Sequence, residues 1–533
     1  MSSSATIPGL YYSFVRPPIE PSALRTDVAG FLGLTRRGPA GEAVRVEGWR
    51  EFVNVFGGLD QQSDTTYAIR GYFDNWAQTA YVVRLLGTDS SSAGGNWIAG
   101  SLDAATGKPN GDWPGDSGLP TLAFDLAASS PGEWANEMRF VVRYWARGAS
   151  GRPELEIEIT PSDEPAELLT GIDPENIVDE VNAQSLYVRL KAVPLPAGLA
   201  PGALGKPPGP RYQEWPAVSL SGGSAQSPSR KQFLDAATAL GDETEVALVL
   251  CPDLWNGAAS LSPEDQTDVL STLLTQAESL HDRQVILDIP PDKTATACAL
   301  KWVQALRESI VDEHLLRHAA VYHPPLLVPD PLGSVETPLR RVPNAGLVTG
   351  VISRLDKQLG PYATPANAQI FEAVDLVRSP NGEEQTALYE GGINLLKCSP
   401  GRGLLVWGGR VLGALADQPG GFLAHRRLIH VLVRAIRRVA EPLVFDTNGP
   451  PLWLSFVRSI TSVLLEAYRA GALKGSRPEE AFRVKCDAET NPSNQVDNGL
   501  CICEVEVAPA VPMEFITLRV AVSGDGILEV FES

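Results

Sequence analysis

The sequence predicts an α/β protein of several domains that carries a mostly β insertion in its first half. Two continuous apolar runs, 245–253 and 283–292, are typical of strands buried in a parallel sheet. The amphipathic helical pattern at 261–281 lies between them, which is the order of a strand–helix–strand unit. Residues 138–193 instead contain segments of alternating polarity that predict antiparallel strands, and a Pro/Gly-rich linker at 193–218 closes that region.

The N-terminal part alternates between strands and helices. A buried strand is predicted at 27–35, and a short helix at 46–58 ends on a Gly pair. A longer amphipathic helix follows at 65–78, with its large apolar residues near one face, and a second strand at 80–87. Together these elements predict one α/β layer that the insertion interrupts.

The helix at 261–281 carries several start signals. Ser262 suits the N-cap position, and Pro263 suits the first helical position, where its missing N–H is not needed. Glu264 and Asp265 complement the positive end of the helix dipole. These residues predict where the helix begins.

Charge and composition exclude several classes of protein. The chain has 533 residues and a formal charge of -20, which argues against nonspecific binding of nucleic acid or docking on anionic lipid. No apolar run reaches the length of a membrane span, and the N-terminus has no pattern of a secretory signal. With six cysteines in so long a chain, we expect reduced thiols and no cofactor.

The segment 486–507 combines three cysteines with acidic and amide residues, which raises the question of a metal site. An EF-hand beginning at Asp487 would need Gly at its sixth position, where Pro492 stands. Cys501 and Cys503 are separated by one residue, so they lie on one face of a strand rather than forming a zinc knuckle. We interpret the segment as a hairpin whose cysteines are small core residues, with a metal or redox site as the alternative.

Three aspartates follow predicted parallel strands, where α/β enzymes place catalytic groups. Asp253, Asp288 and Asp292 are those residues, and they allow an α/β hydrolase-like enzyme as an alternative. However, the chain lacks the glycine-rich nucleotide motifs and the nucleophile elbow. Strand ends also need polar residues simply to turn and to cap helices, so the sequence predicts no enzyme and no catalytic residue.

Histidines at helical spacing form a further candidate site. His314 and His318 lie four residues apart on a predicted helix, and His323 follows. The glutamate that a metalloprotease helix needs beside the first histidine is absent, because Leu315 stands there. We therefore expect a solvated helix end and no metal.

A basic stripe runs along the predicted helix 424–441, which precedes a second long helix at 452–473. It consists of Arg426, Arg427, His430, Arg434, Arg437 and Arg438. On an acidic chain this stripe is a local reversal of charge. It is either a solvated face or a docking surface for an acidic partner.

The sequence resembles the contractile tail sheath proteins of myophages and of phage-tail-like injection systems. The C-terminal segment 471–520, which contains the cysteine hairpin, carries the most specific part of the resemblance. Further matching segments are 25–58, 72–87, 327–370, 404–412 and 425–460, with weaker ones at 130–142 and 181–190. The resemblance covers most of the chain except roughly 90–130 and 195–235.

The resemblance implies a structural subunit that polymerises as a helical stack of rings around an inner tube. In such sheaths both chain ends add strands to sheets of neighbouring subunits. The matching short strand-like runs are Leu10, Tyr11, Tyr12, Ser13, Phe14 and Val15 at the start, and Ile527, Leu528, Glu529, Val530 and Phe531 at the end. It also makes the basic stripe a candidate surface that faces the tube or a neighbour.

The same resemblance implies a domain plan. We expect an N-terminal arm at 1–20, an α/β middle domain formed by 21–88 and 231–345, and a β-rich, outward-facing insertion at 89–230. A sheath core domain at 346–520 and a C-terminal arm at 521–533 would complete the chain.

The implied partners are further copies of the chain, the inner tube protein, and baseplate and tail-terminator or cap proteins. A metastable extended state would contract to drive the tube through a target envelope. Assembly in the bacterial cytoplasm is expected, and the N-terminal segment favours an injection particle over a phage tail. The alternatives are the hydrolase-like enzyme and a β-rich adhesin or binding module built on the insertion.

Overall fold

A computed structural model describes residues 25–98, 123–145, 154–173, 176–192, 212–214, 217–413, 421–443, 446–510, 516–522 and 528–532, the last two ranges as backbone. The predicted N-terminal arm and Ile527 lie outside these residues.

The strands and helices follow one another along the whole chain. The strands are β1 (Ala29–Gly33), β2 (Val44–Val46), β3 (Ala80–Arg84), β4 (Gly94–Ile98), β5 (Ala123–Ala128), β6 (Arg139–Trp145), β7 (Glu154–Thr160), β8 (Glu167–Ile172), β9 (Val188–Ala192), β10 (Tyr212–Glu214), β11 (Val218–Ser219), β12 (Leu248–Leu250), β13 (Gln284–Leu287), β14 (Ala319–His323), β15 (Leu326–Pro329), β16 (Leu339–Val342), β17 (Ala368–Gln369), β18 (Asp375–Leu376), β19 (Asn394–Ser399), β20 (Gly403–Trp407), β21 (Phe482–Lys485), β22 (Cys501–Val507), β23 (Ile516–Val522) and β24 (Leu528–Glu532). The helices are α1 (Trp49–Phe52), α2 (Asp64–Asp74), α3 (Ile177–Gln184), α4 (Arg230–Gly241), α5 (Pro263–Leu280), α6 (Thr296–Ser309), α7 (Glu313–Leu316), α8 (Ala345–Leu359), α9 (Gly382–Glu390), α10 (Leu423–Ala440), α11 (Pro450–Arg469), α12 (Pro478–Ala481) and α13 (Ser493–Asp497).

A central sheet of nine strands organises the molecule, in the order β17-β20-β19-β14-β13-β12-β1-β3-β2. The strands from β3 to β19 pair in parallel, and antiparallel strands close both edges. The parallel strands are apolar on both faces because helices cover both sides. The strands predicted at 27–35, 80–87, 245–253 and 283–292 are confirmed as β1, β3, β12 and β13.

Two apolar clusters fill the layers above and below this sheet. One contains Phe233, Leu273 and Val303 from α4, α5 and α6. The other contains Tyr72 and Val351 from α2 and α8. The predicted start of α5 is also confirmed, because the side chain of its N-cap Ser262 accepts from the backbone N–H of Asp265 at 3.1 Å.

The predicted boundary between residues 345 and 346 does not exist in the fold. Helix α8 begins at Ala345 and packs on α2, and β17, β19 and β20 complete the same central sheet as β1. The sequence misplaced this boundary because the strands of one sheet come from both sides of it, and strand pairing is a tertiary contact.

The insertion between β3 and α4 forms two antiparallel sheets around their own apolar cluster. Strands β6, β7, β8, β10 and β11 form one sheet, and β4, β5 and β9 form the other. Helix α3 contributes Ile177 and Val181 to the cluster between them. The predicted β-rich content is therefore present in the described residues, with one helix that the sequence did not predict. Its projection from an assembly stays a prediction.

A C-terminal unit follows the central sheet. Helices α10 and α11 pack on each other, and α11 packs on β21 and β22 of the four-stranded antiparallel sheet β21-β22-β23-β24. Their shared cluster contains Leu432, Phe456, Cys503 and Val505. Strand β22 is buried at every second residue, as the alternation at 501–507 predicts.

We expect Gly350→Ala to destabilise the protein although alanine favours helices. An added Cβ would lie 2.6 Å from the carbonyl oxygen of Tyr72 and 2.7 Å from Cβ of Asn75, so α2 and α8 would have to separate. The expected loss in the free energy of unfolding is about 1–3 kcal/mol, measured by chemical denaturation. Gly382→Ala in α9 is the matched control, because nothing lies within 4 Å of its added Cβ. Equal stability of both variants would contradict the close packing.

Candidate functional site

Helix α10 forms the joint between the central sheet and the C-terminal unit. Its apolar residues Leu428, Leu432 and Ile436 belong to the C-terminal cluster. Most of its basic residues lie on the opposite side, and Arg434 contacts the edge of the central sheet where the parallel strands begin. The amphipathic pattern that predicted the helix is therefore correct, but both of its faces are covered except near its C-terminal end, where Arg438 is exposed.

Arg434 is the centre of this joint. Its Nε donates to the carbonyl oxygen of Asp282 at 3.0 Å, and its Nη1 donates to those of Arg25 at 3.0 Å and Glu245 at 3.2 Å. Its Nη2 donates to the carbonyl oxygen of Val246. These carbonyl groups belong to the segments that lead into β13, β1 and β12. One guanidinium thus ties three strand starts to one helix.

The burial of Arg434 requires that its N–H groups find hydrogen-bond acceptors within the protein. The side chain of Arg434 is 8% exposed, and burial lowers its pKa to about 10. The group still carries its charge at neutral pH, so each donor needs an acceptor in the interior. The planar fork of a guanidinium can meet several carbonyl oxygens at once, which a lysine ammonium does less well.

Arg427 makes the second contact of the joint. It forms a bidentate ion pair with Asp356 of α8, and its Nη2 also donates to the carbonyl oxygen of Thr26 at 2.9 Å. The Thr26 hydroxyl also donates to Asp356, at 2.8 Å. Burial raises the pKa of Asp356 and outweighs the opposing effect of Arg427. The pair therefore holds α10 to both α8 and the chain before β1.

Histidines and a glutamate form the third part of the joint. The rings of His318 and His430 stack with centroids 5.1 Å apart, and Glu278 Oε2 lies 2.8 Å from His318 Nε2. Burial lowers the pKa of both histidines, that of His430 the further, and His318 lowers the pKa of Glu278 to about 2 against the effect of its burial. Burial thus favours the neutral form of both stacked rings, and Glu278 opposes this effect at His318.

Glu278, His281 and His318 could together hold a metal ion. Their ligand atoms all lie within 4.8 Å of one another. A guanidinium nitrogen of Arg426 is 3.2 Å from His318 Nε2, and its positive charge opposes a second cation at that place. We therefore assign these residues to the joint.

The predicted exposure of the basic stripe is wrong for most of its residues. Arg426, Arg427, His430 and Arg434 are between 1% and 8% exposed, so for them both a solvated face and a docking surface are wrong. The sequence pattern could not show this burial, because the groups that contact Arg427 and Arg434 belong to segments 71 and 152 residues away in the chain. Arg437 contacts Asp282 at 3.3 Å and remains partly exposed, and Arg438 is exposed. For these two residues contact with a tube or neighbour stays a prediction.

The predicted solvent exposure of the histidines is also wrong for two of the three. His314 is exposed, as expected, but His318 and His323 are fully buried. Helix α7 ends at Leu316, and the chain then enters the central sheet as β14. His314 and His318 therefore do not share a helix face, because α7 ends before His318, which lies in the short connection to β14.

The aspartates at the strand ends are used in the fold. Asp253 accepts from the backbone N–H groups of Leu34 at 2.7 Å and of Asp64 at 2.6 Å, and Asp288 accepts from that of Ala345 at 2.8 Å. Asp64 and Ala345 are the first residues of α2 and α8, so both carboxylates bind helix starts. Burial raises the pKa of Asp253 to about 6 and that of Asp288 to about 7.

Asp292 does not join them. It is exposed and pairs with Lys293 at 2.6 Å. A cavity at this edge of the sheet is lined by other residues, among them Asp64, Trp255 and Arg341. The three aspartates therefore do not form the common pocket that the hydrolase-like alternative requires.

The cysteine segment is a hairpin, as predicted. Strands β21 and β22 pair from Phe482 with Val507 to Lys485 with Glu504, and Cys501 and Cys503 are buried. The six cysteines are free thiols. The loop contains the short helix α13, which the turn-forming residues did not predict.

The end of the chain pairs within its own sheet. Strand β24 lies antiparallel to β23, with Leu528 opposite Val522 and Val530 opposite Val520. The strand predicted for residues 527–531 therefore exists from Leu528 onward. Its addition to a neighbouring subunit stays a prediction, and it would require β24 to leave β23 of its own chain.

Part of the chain is similar in sequence to known phage proteins. Residues 416–523 match the family model of the phage tail sheath C-terminal domain. The tail sheath protein of Vibrio phage KVP40 is 30% identical over 196 residues, which are 35% of this chain and 27% of that protein. The chain thus matches about a quarter of the length of that relative.

Solved sheath structures share the fold over nearly the whole chain. The sheath tail protein of Desulfitobacterium hafniense has a TM-score of 0.59 at 13% identity, covering 97% of this chain and all of that one. The contracted sheath complex of PVC, an extracellular contractile injection system, has a TM-score of 0.53 at 15% identity, covering 96% of each chain. Residues 416–523 are therefore similar to the phage tail sheath C-terminal domain, and the resemblance drawn from the sequence is confirmed.

We expect Arg434→Met to destabilise the joint strongly. Methionine keeps much of the apolar stem but leaves the buried carbonyl groups of Asp282, Glu245 and Val246 without this donor. Unsatisfied buried acceptors cost about 1–3 kcal/mol each, so the expected loss is at least about 3 kcal/mol in the free energy of unfolding. Hydrogen exchange should also quicken at 282–285 and 245–249. Arg458→Met, at an exposed position in α11, is the control and should change stability by less than about 0.5 kcal/mol.

The stacked histidines predict acid sensitivity of the joint. Their folded-state pKa lies below 6.5, so their contribution to stability is present above pH 6.5 and is lost as pH falls through that value toward the folded pKa. Protonation would place new charge beside Arg426 and Arg434, while Glu278 and His281 face the same cluster. His430→Phe keeps an aromatic stack and cannot take a proton.

We therefore expect the unfolding free energy of His430→Phe to fall less than that of the native chain between pH 7 and pH 5. Denaturation across this range measures the difference, and His314→Phe, at an exposed position, serves as the control. Parallel pH curves for the native chain and His430→Phe would contradict a neutral buried His430.

Proposed function

We propose that this protein is the subunit of a contractile sheath that surrounds an inner tube and shortens to drive the tube through an envelope. The observation that carries the proposal is the match of residues 416–523 to the phage tail sheath C-terminal domain. The shared fold over nearly the whole chain supports it. Each helix in the described part of the chain is too short or too polar to span a lipid bilayer.

The C-terminal sheet supplies the proposed means of linking subunits. A strand that pairs with β23 makes the same backbone hydrogen bonds whether it comes from its own chain or from a neighbour. Exchange of identical elements therefore costs little, provided that the connecting segment can reach the neighbour. Residues 523–527 connect β23 to β24 and would act as that segment. The N-terminal run at 10–15 is proposed to add a strand in the same way.

The joint at α10 gives the proposal a mechanical consequence. Because Arg427 and Arg434 fix the C-terminal unit to the central sheet, motion between subunits would concentrate in the strand connections instead. The subunit would then rotate as a body while the C-terminal sheets stay linked. The insertion at 89–230 is proposed to face outward, away from the tube.

The energy for contraction is proposed to be stored at assembly. The sequence carries no nucleotide-binding motif, and additional burial between subunits would contribute roughly 25 cal/mol per Å2 of apolar area. The proposed role is structural, without catalysis, since Asp253 and Asp288 bind helix starts. The inner tube, the baseplate and a terminator or cap protein are the proposed partners. Assembly is proposed to occur in the bacterial cytoplasm, before the particle acts outside or within the cell.

The exchange of β24 is tested with a cysteine pair at opposite ladder positions. Ala521 and Glu529 face each other in the ladder between β23 and β24. In a chain with Cys298→Ser and Cys398→Ser, we combine Ala521→Cys with Glu529→Cys and oxidise both assembled particles and dilute subunits. Exchange predicts covalently linked multimers from the particles and an internal bond in the dilute chain, separated on a non-reducing gel.

The control for this experiment carries Glu529→Cys alone and should give no multimers. Electron microscopy of the assembled particles should show hollow cylinders. Cylinders that hold only internal bonds would contradict strand exchange but leave the sheath intact. Discrete small oligomers at all concentrations would contradict the sheath proposal itself.

A further inference from the structure

Three thiols meet at the base of the hairpin formed by β21 and β22. The Sγ atoms of Cys486 and Cys501 are 3.9 Å apart, which is van der Waals contact. Cys503 lies two residues beyond Cys501 on the same buried face of β22. Nothing in the sheath proposal uses these thiols.

The backbone around Cys486 allows the two sulfur atoms to approach. The paired register ends with Lys485 opposite Glu504, so Cys486 is the first residue beyond the ladder. A disulfide needs a sulfur–sulfur distance of about 2 Å, which requires a small adjustment of the Cys486 side chain and backbone. Cys501 belongs to β22 and pairs on its other side with Val522 of β23, so it stays in place.

Asn491 holds the loop in the position that brings the thiols together. Its Nδ2 donates to the carbonyl oxygen of Ile502 at 3.0 Å, and its Oδ1 accepts from the N–H of Ile502 at 2.6 Å. The same Nδ2 contacts Cys486 Sγ at 3.7 Å. Asn491 is 2% exposed, so this clamp is shielded from water. The clamp keeps Cys486 next to the start of β22.

Exposure gives the two cysteines different roles. Cys486 is partly exposed, whereas Cys501 and Cys503 are 5% and 3% exposed. A small oxidant in solution therefore reaches Cys486 first. The buried Cys501 can then react with it at contact distance without itself meeting solvent.

We propose that Cys486 and Cys501 form a reversible disulfide, which makes this hairpin a site of oxidative modification. With oxidised glutathione, the Cys486 thiolate attacks one sulfur of the reagent and releases one glutathione thiolate. The Cys501 thiolate then attacks the Cys486 sulfur and expels the second. The two protein thiols lose two electrons and two protons in total, and the disulfide reagent is reduced to two thiols.

The bond would close the loop 487–500 covalently. It would join the end of β21 to the start of β22, the strand on which β23 pairs. A closed loop of this size restricts the unfolded hairpin, which stabilises the folded one. The C-terminal sheet would then be stiffer in an oxidising environment than in a reducing one, whether or not the chain forms a sheath.

The test uses the full chain with its exposed cysteines Cys298 and Cys398 replaced by serine. The protein is incubated with oxidised glutathione, blocked with an alkylating agent, and cleaved after Lys485, Glu489 and Glu504. The expected product is peptide 486–489 linked to peptide 490–504, in which Cys503 carries one alkyl group; its mass is the sum of these two peptides less the two hydrogens lost in the disulfide. Reduction should separate them, and hydrogen exchange at 487–500 should be at least about tenfold slower in the oxidised protein.

Single serine variants identify the partner. The linked peptides should persist in Cys503→Ser and disappear in Cys501→Ser and Cys486→Ser. Far-ultraviolet circular dichroism checks that each variant is folded, and Cys501→Ala replaces Cys501→Ser if serine disturbs the core. A glutathione adduct alone at Cys486, a bond that is lost in Cys503→Ser, or unchanged free thiols would each overturn the proposal.

Discussion

The contact between Arg434 and the starts of three parallel strands is the constraint on which the arrangement of this molecule depends. The backbone carbonyl groups of Arg25, Glu245 and Asp282 lie just before three of the parallel strands, and the C-terminal unit covers them and removes water from them. Arg434 supplies donors to the segments before β1, β12 and β13 at once. Without such donors the interface would bury unsatisfied acceptors, whose cost exceeds the gain from most single contacts.

The same solution recurs elsewhere in the fold. Arg84 is 1% exposed and donates to the carbonyl oxygens of Thr35, Arg36 and Gly38, and burial lowers its pKa to about 10. At the opposite ends of the strands, Asp253 and Asp288 accept from the N–H groups that begin α2 and α8. Buried charge in this chain thus pairs with backbone groups that secondary structure leaves open, which explains ionisable residues in places that otherwise suggest catalysis.

The proposed sheath role would place two mechanical requirements on this chain. The body would have to transmit force, and the cationic face of α10, which joins the C-terminal unit to the central sheet, would serve that requirement. The proposed links between subunits would have to survive a change of geometry, and a strand at the edge of a sheet offers backbone hydrogen bonds that do not depend on side-chain fit. The hairpin of β21 and β22 lies between these parts, since it packs on α11 and carries β23. The thiols of Cys486 and Cys501 therefore lie at the connection between α11 and the strand that pairs with β24.

Periodicity and local hydrogen-bonding groups predict many of the elements, among them the buried strands, the capped start of α5, the amphipathic α10 and the cysteine hairpin, but not the helices α3 and α13. The sequence did not determine what covers the basic face of α10, although apolar residues flanking that stripe on both sides indicate a helix covered all round. The burial of Arg427, Arg434 and His318 and the continuation of one sheet past residue 345 became visible in the folded chain alone. A local pattern shows which face of an element is charged, but the groups that contact this face come from segments far away in the chain.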